Sequence, residues 1–254
     1  MLRYAPGAVA FVLCLTIGIG AQTPKPAFEA VSVRPVAPRP AGAAPAPPSR
    51  SPLTAGGRFY RGGESVSRLI YFAYGVTSFQ LSGGPDWVRR EYFTIEAASG
   101  GNHDAEQMRP MVQSLLEDRF KLVVRRERRE MRHSVLRMAR GDGRPGRQLE
   151  RCGDGPVESR PILVPRDGVT FGVACVPMSE IAAQISGHVQ QLTLDGTGLD
   201  GRWRFGIAYS RGDGTGPTPP LPTVLREELG LRLEQRDGPV DVIVIESVER
   251  PSEN

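Results

Sequence analysis

The chain has 254 residues, of which 39% are hydrophobic, so it is long enough for one large domain or two small ones with a buried core. No segment after residue 21 approaches 18 consecutive apolar residues, which excludes a membrane-spanning helix from that part of the chain. The formal net charge is +4 at pH 7, and because only two of the 32 basic residues are lysines, this excess is weak support for a polyanionic partner.

Residues 1–21 have the layout of a cleavable secretory signal. Arg3 supplies one positive charge, Ala8–Ile19 form a weakly polar to apolar run, and small residues with a proline follow. A transmembrane helix needs about 20 apolar residues, so the run is too short to be one. We predict cleavage after Ala21 and a periplasmic or secreted mature protein. A lipoprotein anchor at Cys14 is the alternative, although the three residues before it lack the small side chains that such processing favours.

Two cysteines, Cys152 and Cys175, stay in the chain after this cleavage. In an exported protein an even pair most simply forms a disulfide, which here closes a loop of about 23 residues and contributes about 3 kcal/mol. Two free thiols are the alternative. The sequence therefore predicts a disulfide between Cys152 and Cys175.

Composition divides the rest of the chain into loose and ordered segments. Residues 35–56 are dominated by Pro and Ala and form a spacer, and residues 141–168, rich in Gly, Pro and Arg, form a loop insertion that carries Cys152. The ordered segments are an N-terminal strand segment, a first α+β module and a second α+β module, at residues 22–34, 57–140 and 169–254.

The first module alternates between the helical and the strand period of hydrophobicity. One helix is predicted with Ser65 as its N-cap and Gly75 as its stop. Another is predicted around Met108–Leu116, where Pro110 predicts a kink or a later start. The predicted strands lie at residues 79–81, 93–97, 120–124 and 133–139.

The second module repeats this order at a nearly constant spacing. Residues of one helical face have counterparts 112 positions later: Val66 and Met178, Leu69 and Ile181, and Ala73 and Ile185. Gly187 lies at the same offset from Gly75, the predicted stop of the first helix. Strands at 205–207, 231–233 and 240–248 also have counterparts, whereas the helix Leu221–Leu229 fits only with a two-residue shift. We therefore predict an α+β fold of two pseudo-repeated modules, each with two helices packed on one face of a mainly antiparallel or mixed sheet.

The usual catalytic signatures are missing from the sequence. It contains no Gly-x-Ser-x-Gly, Ser-x-x-Lys or His-Glu-x-x-His motif, and its glycine turns lack the strand and helix that cradle phosphates. Glu130 and His133 could supply two metal ligands, but a strand residue and an exposed histidine explain them as well. We predict no catalytic residue, no cofactor and no metal.

Two further pairs of residues lie in predicted loops. Asp195 and Asp200 flank a Gly-Thr-Gly-Leu turn and are candidates for paired catalytic carboxylates, although a turn between strands explains them too. Tyr74 and Trp87 lie beside Gly and Pro and are the best candidates for ligand contact. Packing over the first helix is nonetheless the commoner fate of such aromatic residues.

The most basic stretch is residues 119–147, with ten arginines and Lys121 against three acidic residues, a local net charge of +8. Such a face could meet anionic lipid, a polyanionic envelope polymer or nucleic acid. Because the charges alternate along predicted strands, a solvated sheet face is the better explanation, and nucleic acid is not a predicted partner.

Six segments together are more specific than any single motif: Gly56–Phe59, Ala73–Val76, Ser82–Trp87, Phe93–Ala97, Leu115–Leu122 and Gly238–Ile245. On these segments the chain resembles a soil-associated, mainly acidobacterial family of exported proteins of unknown function, over about Phe28–Asn254. The resemblance implies secretion and no established activity. Each half also resembles, more weakly, the short N-terminal domain of secretins and TonB-dependent receptors, a small docking unit. The chain departs from the family pattern at Met131–His133 and in its long spacer.

Duplicated small modules without catalytic signatures favour a non-enzymatic binding or interaction module of the cell envelope or extracellular space. Its partner would be another envelope protein, held through an exposed sheet edge, or an extracellular polymer. The alternative is an extracytoplasmic hydrolase acting on polysaccharide or peptide. Two carboxylates, or a serine and a histidine, in one concave pocket would favour that alternative.

Overall fold

The computed structural model describes residues 25–37, 53–54, 57–101, 103–153, 168–210 and 218–251. The predicted signal at 1–21, Cys14 and most of the predicted spacer lie outside these ranges. Inside them the fold is mixed α+β, which confirms the predicted fold class. None of the helices in these ranges has the length and hydropathy that a bilayer crossing requires.

The first half of the chain contains seven strands, three α-helices and a 3-10 turn among the described residues. In chain order they are β1 (Ala30–Pro35), β2 (Leu53–Thr54), β3 (Arg58–Ser65), α1 (Val66–Tyr74), the 3-10 turn (Ser78–Gln80), β4 (Leu81–Gly83), α2 (Trp87–Arg90), β5 (Tyr92–Ala98), α3 (Ala105–Phe120), β6 (Val123–Met138) and β7 (Glu150–Arg151). The second half continues with β8 (Val169–Pro177), α4 (Met178–Val189), β9 (Thr193–Asp195), β10 (Arg202–Tyr209), α5 (Leu221–Glu227) and β11 (Leu231–Ser247).

Local sequence explains where the first helices begin and end. Ser65 is the N-cap of α1, and Gly75 is its C-cap with a left-handed φ of 65°, both as predicted. The N-terminus of α3 has a capping box in which Asp104 and Gln107 each bond the backbone N–H of the other. The same helix contains Pro110 and continues through it.

The strands form three sheets. The first sheet has the order β1-β5-β3-β2 and the second the order β7-β10-β8, with antiparallel neighbours throughout. The third sheet has the order β4-β11-β6-β9. Its central strands, β6 and β11, are antiparallel along their whole length, from the Val123–Ser247 pair to the Met138–Leu231 pair. The short strands β4 and β9 join them as parallel edges.

The third sheet joins the two halves, because each hydrophobic core contains residues from the other half. The first core is built from buried residues between Val33 and Leu122, together with Ile243 and Ile245 from the far end of β11. The second core is built mainly from residues between Phe171 and Leu231, together with Leu136 from β6. The last strand of each predicted module therefore ends in the core of the other.

Several predicted elements differ from the structure. The strands predicted at 120–124 and 133–139 are one strand, β6, and those predicted at 231–233 and 240–248 are one strand, β11. The apolar pattern that predicts a strand is interrupted by charged residues in the middle of β6 and of β11. The pairing of the two strands continues there, because backbone N–H and C=O groups form hydrogen bonds whatever side chains the residues carry. The predicted stop of α4 at Gly187 is also wrong, since α4 ends at Val189 and Gln190 is its C-cap with a φ of 55°.

The order of elements from β3 to β6 recurs from β8 to β11, with the short α2 and the 3-10 turn as additions in the first half. The origin of the two halves in one repeat stays a prediction, as do the module boundaries at residues 57–140 and 169–254.

Candidate functional site

The two predicted ligand-contact residues pack against the first core. Tyr74 is the last residue of α1, and its partial burial raises the pKa of its hydroxyl because burial penalises the charged form. Trp87 opens α2 rather than lying in a loop, meets Phe93 edge-to-face at 6.5 Å, and lies beneath the guanidinium of Arg250 at 5.2 Å. These contacts give both side chains a packing role, and ligand contact stays a prediction.

The alternative metal pair, Glu130 and His133, lies on β6. Residues three apart on a strand face opposite sides of the sheet, so the two side chains diverge. His133 is buried, at 6% exposed, so its explanation as an exposed histidine is wrong. Its Nδ1 lies 3.0 Å from the carbonyl oxygen of Met131. No group of three His, Cys, Asp or Glu side chains with metal-binding geometry occurs in the described ranges.

The alternative carboxylate pair does not converge on a cleft either. Asp195 Oδ1 accepts hydrogen bonds from the N–H and the hydroxyl of Thr197, at 2.9 and 2.8 Å. Asp200 is exposed, and its backbone oxygen accepts from Nε1 of Trp203 at 3.2 Å. The Asp195 carboxylate therefore organises a turn, which is the other explanation considered for this segment.

Three arginines of the basic stretch at 119–147, namely Arg125, Arg128 and Arg129, form ion pairs with acidic residues. The ion pairs are Arg125–Glu127 at 2.5 Å, Arg129–Glu127 at 2.7 Å, Arg128–Asp241 at 3.3 Å and Arg125–Glu246 at 3.3 Å. Asp241 and Glu246 belong to β11, which pairs with β6 along the stretch. The tertiary structure thus supplies negative charge that the local sequence lacks, and this supports the interpretation as a solvated sheet face.

The carboxyl group of Glu127 should titrate far below its ordinary range. Hydrogen bonds from Arg129 and then Arg125 lower its pKa from 4.5 to about 2. Because the folded pKa is depressed, the stabilisation is fully present above pH 4.5 and is lost as the pH falls towards 2. An NMR pH titration of the side-chain carboxyl carbon of Glu127 would measure this lowered pKa. Arg129→Gln should raise the Glu127 pKa, whereas Arg128→Gln should leave it unchanged because Arg128 pairs with Asp241. Equal changes of the Glu127 pKa in both variants would show that Arg129 is not the main cause of the lowering.

The predicted disulfide between Cys152 and Cys175 is present. The Cα atoms are 5.7 Å apart, and the bond connects the chain just after β7 with β8. Arg202 on β10 lies between them, since its backbone oxygen accepts from Cys152 N–H and its Nε donates to the carbonyl oxygen of Cys175. The disulfide therefore fixes both edges of the second sheet at one end.

The strand β8 is an edge of the second sheet with an unusual composition. It has nine residues, none of them charged, and among the described strands only β10 pairs with it. Phe171 points into the second core, whereas Thr170, Gly172 and Ala174 alternate onto the opposite face. Edge strands in natural proteins commonly carry charges that prevent further pairing, and β8 has none.

A cleft of about 550 Å³ lies where α4 ends, and we call it the α4 cleft. Its lining comes from the last turn of α4, the end of β10 and the start of α5. The lining residues are Gly187, His188, Val189, Gln190, Tyr209, Ser210, Pro220, Leu221 and Pro222. None of these nine residues is an Asp, Glu, Lys or Arg.

The lengths of two helices explain this cleft. In the first half, the 16-residue α3 packs against α1, with Gln113 donating to the carbonyl oxygen of Ala73 at 2.7 Å and Arg109 close to Gly75. In the second half, α5 has only seven residues and begins at Leu221. Its first two residues, Leu221 and Pro222, line the cleft.

Two aromatic residues hold His188 in place within the α4 cleft. Its Nδ1 lies 2.6 Å from the hydroxyl oxygen of Tyr209, and its ring centroid lies 4.1 Å from that of Phe171. Tyr209 is 2% exposed, so the pair is set into the wall. Ser210, the next residue, lines the same cleft, and the serine and histidine thus lie in one concave site.

The family model described as "Protein of unknown function (DUF3738)" matches residues 67–248, which include α1 without its first residue, the other described helices, β4 to β11 and the α4 cleft. No curated protein and no solved structure matches the chain.

Proposed function

The chain belongs to the DUF3738 family of proteins of unknown function, and from that premise we propose that it is an exported binding protein that pairs through the edge of β8 with an extended segment of another envelope protein. It would have no catalytic activity of its own.

Two features support export. The first 21 residues have the charge, apolar run and small residues of a secretory signal. The disulfide between Cys152 and Cys175 is of the kind that persists in oxidising compartments such as the periplasm. Cell fractionation followed by mass spectrometry under non-reducing conditions should find the chain outside the cytoplasm, lacking its leader and two hydrogens lighter than the reduced mass. A full-length cytoplasmic chain with two thiols would contradict export.

The proposal of binding rests on the outer edge of β8, a strand with no charged residue. An extended peptide can add a strand to such an edge, with its main chain supplying hydrogen bonds and its alternate side chains supplying specificity. The disulfide holds one end of β8 in place, and Phe171 anchors its middle in the second core. An edge fixed in this way loses little conformational entropy when a strand pairs with it.

A pair of lysine variants tests this edge. Thr170 on β8 and Ala208 on the central strand β10 are register partners, so Thr170→Lys and Ala208→Lys add the same charge at the same height on one sheet face. Only the first places it at the edge. Wild-type protein would be used to capture proteins from the envelope fraction, and one captured protein would then be purified. Thr170→Lys should weaken its binding at least tenfold, and Ala208→Lys should not.

Hydrogen exchange locates the contact. Adding the purified partner should slow amide exchange in residues 169–173 and leave β5 of the first sheet unchanged. Capture no better than background, or equal weakening by both lysine variants, would overturn the proposal.

The hydrolase alternative keeps one specific observation in its favour, since Ser210 and His188 line one cleft. A fluorophosphonate probe, which labels activated serines, distinguishes the two functions. Binding without catalysis predicts no labelling of the wild type above that of Ser210→Ala. If the wild type is labelled at Ser210 and Ser210→Ala is not, the protein is a serine hydrolase and not a binding protein without catalysis.

A further inference from the structure

The strand β8 contains a β-bulge beside the disulfide. Val173 pairs with Phe205 of β10, and Val176 pairs with Trp203, so two residues of β8 lie opposite the single residue between those two on β10. Cys175 is one of the two residues. A bulge interrupts the regular ladder and bends its strand. The regular part of the β8 edge therefore ends at Val173, and the shape of the bulge decides how the strand continues from there to α4.

Cys175 has a backbone conformation that glycine usually occupies. Its φ is 37°, and in bulges with a left-handed residue that residue is normally glycine. Among the described residues, Lys121 and Gln190 are the other non-glycine residues with a positive φ, and both are C-caps of helices, where a left-handed residue is common. Cys175 instead lies inside a strand. Its Cβ approaches a carbonyl oxygen in this conformation, so the bulge is strained.

The disulfide holds Cys175 in this conformation. Its other half, Cys152, is fixed by the backbone of β10, because the Cys152 N–H donates to the carbonyl oxygen of Arg202 at 2.9 Å. The Nε of Arg202 also donates to the carbonyl oxygen of Cys175 at 2.7 Å. Arg202 is exposed, so this hydrogen bond competes with water and contributes less than the covalent bond. Strain at one residue persists only where the surrounding structure enforces it, and here the disulfide does so.

The strain cannot be relieved by sliding β8 along β10. A shift of one residue would remove the bulge, but it would also turn each side chain of the shifted part to the other face of the sheet. Phe171 belongs to the second core, and so does Met178, the first residue of α4. A slip on either side of the bulge would move one of these two side chains out of the core. Relief must therefore come from a local change in the conformation of Cys175.

We propose that the Cys152–Cys175 disulfide is a reductive switch of the β8 edge, opened by a dithiol of the extracytoplasmic space. This switch rests on the proposed function, in which the edge binds a partner strand. While the bond is intact, Cys175 keeps its left-handed φ and the edge has one fixed shape. After reduction, Cys175 leaves that region, the bulge changes its shape, and the partner strand no longer matches the edge.

The switch operates by thiol–disulfide exchange. A thiolate of the dithiol attacks one of the two sulfurs, forms a mixed disulfide with that cysteine and releases the other cysteine as a thiolate. The second thiol of the reductant then displaces the bound cysteine. The reductant leaves as a disulfide, and its two protons end on Cys152 and Cys175. Both cysteines are partly exposed, so a reductant has access to the bond.

The cost of the left-handed conformation sets the size of the effect. For a residue with a Cβ, this cost corresponds to about fivefold to thirtyfold in an equilibrium constant. A protein that populates its binding conformation only in part binds its ligand more weakly by that fraction. Reduction should therefore weaken binding of the partner by about fivefold to thirtyfold.

The experiment compares four forms of the processed protein: the oxidised wild type, the wild type in dithiothreitol, Cys152→Ser with Cys175→Ser, and Cys152→Ser with Cys175→Gly. Glycine adopts a left-handed φ readily, so the glycine variant keeps the bulge without the bond. The first readout is the NMR shift of the Trp203 and Phe205 amides, which flank the bulge on β10. The reduced wild type and the serine variant should both differ from the oxidised wild type, and the glycine variant should match it.

The second readout is the affinity for the partner purified from the envelope fraction. The reduced wild type and the serine variant should bind about fivefold to thirtyfold more weakly than the oxidised wild type. The glycine variant should bind within about twofold of the oxidised wild type and should not respond to dithiothreitol. The first readout needs no partner, so it still decides the switch if Thr170→Lys or the capture experiment shows that β8 is not a binding edge.

Two results would overturn the switch. In the first, the Trp203 and Phe205 amides have the same shifts in the oxidised and the reduced wild type. In the second, the glycine variant matches the serine variant in its shifts or in its affinity. That result would show that the bond acts only as a cross-link and does not set the shape of the edge.

Discussion

Replacing Glu64 with Gln is expected to lower the free energy of unfolding by about 3 kcal/mol. The side chains of Arg61 and Glu64 are 15% and 6% exposed, and their Nη1 and Oε2 atoms lie 3.5 Å apart. The Arg61 guanidinium lies over the rings of Phe59 and Phe72, and burial lowers its pKa because it penalises the charged form. The charge of Glu64 opposes that lowering. Its removal leaves a desolvated cation without its nearest counter-charge.

Urea unfolding at pH 7 measures this loss, and two variants control it. Glu246→Gln makes the same chemical change in an exposed pair with Arg125, where the Glu246 side chain is 46% exposed, and should cost less than about 1 kcal/mol. Combining Arg61→Met with Glu64→Leu should recover most of the loss, because it removes both buried charges and keeps apolar volume. It also removes the 2.8 Å ion pair of Glu64 with Arg68, but Arg68 is exposed and its pair should contribute little. Equal losses for Glu64→Gln and Glu246→Gln would show that the pair at Arg61 behaves as a surface pair.

Loss of the disulfide is the second large effect. Cys152 and Cys175 are 23 residues apart, and a cross-link closing a loop of that length stabilises a protein by about 3 kcal/mol in the chain-entropy model. The double variant Cys152→Ser with Cys175→Ser should therefore unfold at lower urea than the wild type. Dithiothreitol should move the wild type towards the variant and leave the variant itself unchanged. A wild-type midpoint that dithiothreitol does not alter would contradict this prediction.

The backbone at Cys175 allows a sharper version of that experiment. Cys175 has a φ of 37°, in the left-handed region that costs a residue with a Cβ about 1 kcal/mol. Without the disulfide, glycine at this position should be better than serine. Cys152→Ser with Cys175→Gly should thus be about 1 kcal/mol more stable than the double serine variant. The reverse order would show that the side chain at 175 stabilises β8 by packing.

The disulfide could be predicted from the sequence, whereas the α4 cleft could not. The Cys152–Cys175 bond could be predicted because an even pair in an exported chain has one simple partner choice. The α4 cleft could not, because His188 and Tyr209 are 21 residues apart and meet only through the packing of α4 on β10. The one available signal was the shorter apolar stripe of α5 compared with that of α3.

The basic stretch at residues 119–147 shows that a charge counted along the sequence can differ from the charge of the folded surface. Its net charge is a correct count of residues 119–147, but Asp241 and Glu246 lie more than 110 positions along the chain from Arg128 and Arg125, with which they pair. Only the pairing of β6 with β11 brings them beside the arginines. Local charge therefore overstated the electrostatic character of this face.

By itself, the sequence determined the α+β class and the ends of α1, because periodicity, capping and turn conformation depend on residues within a few positions of one another. It also determined the disulfide, because the two cysteines that remain after the predicted leader have only one possible pairing. Only the tertiary structure decided that β6 and β11 are continuous, that each ends in the core of the other half, and that a short α5 leaves a cleft beside α4. The physical reason is that strand pairing and helix packing join residues far apart in the chain, and many partners satisfy the same local pattern of apolar and polar residues.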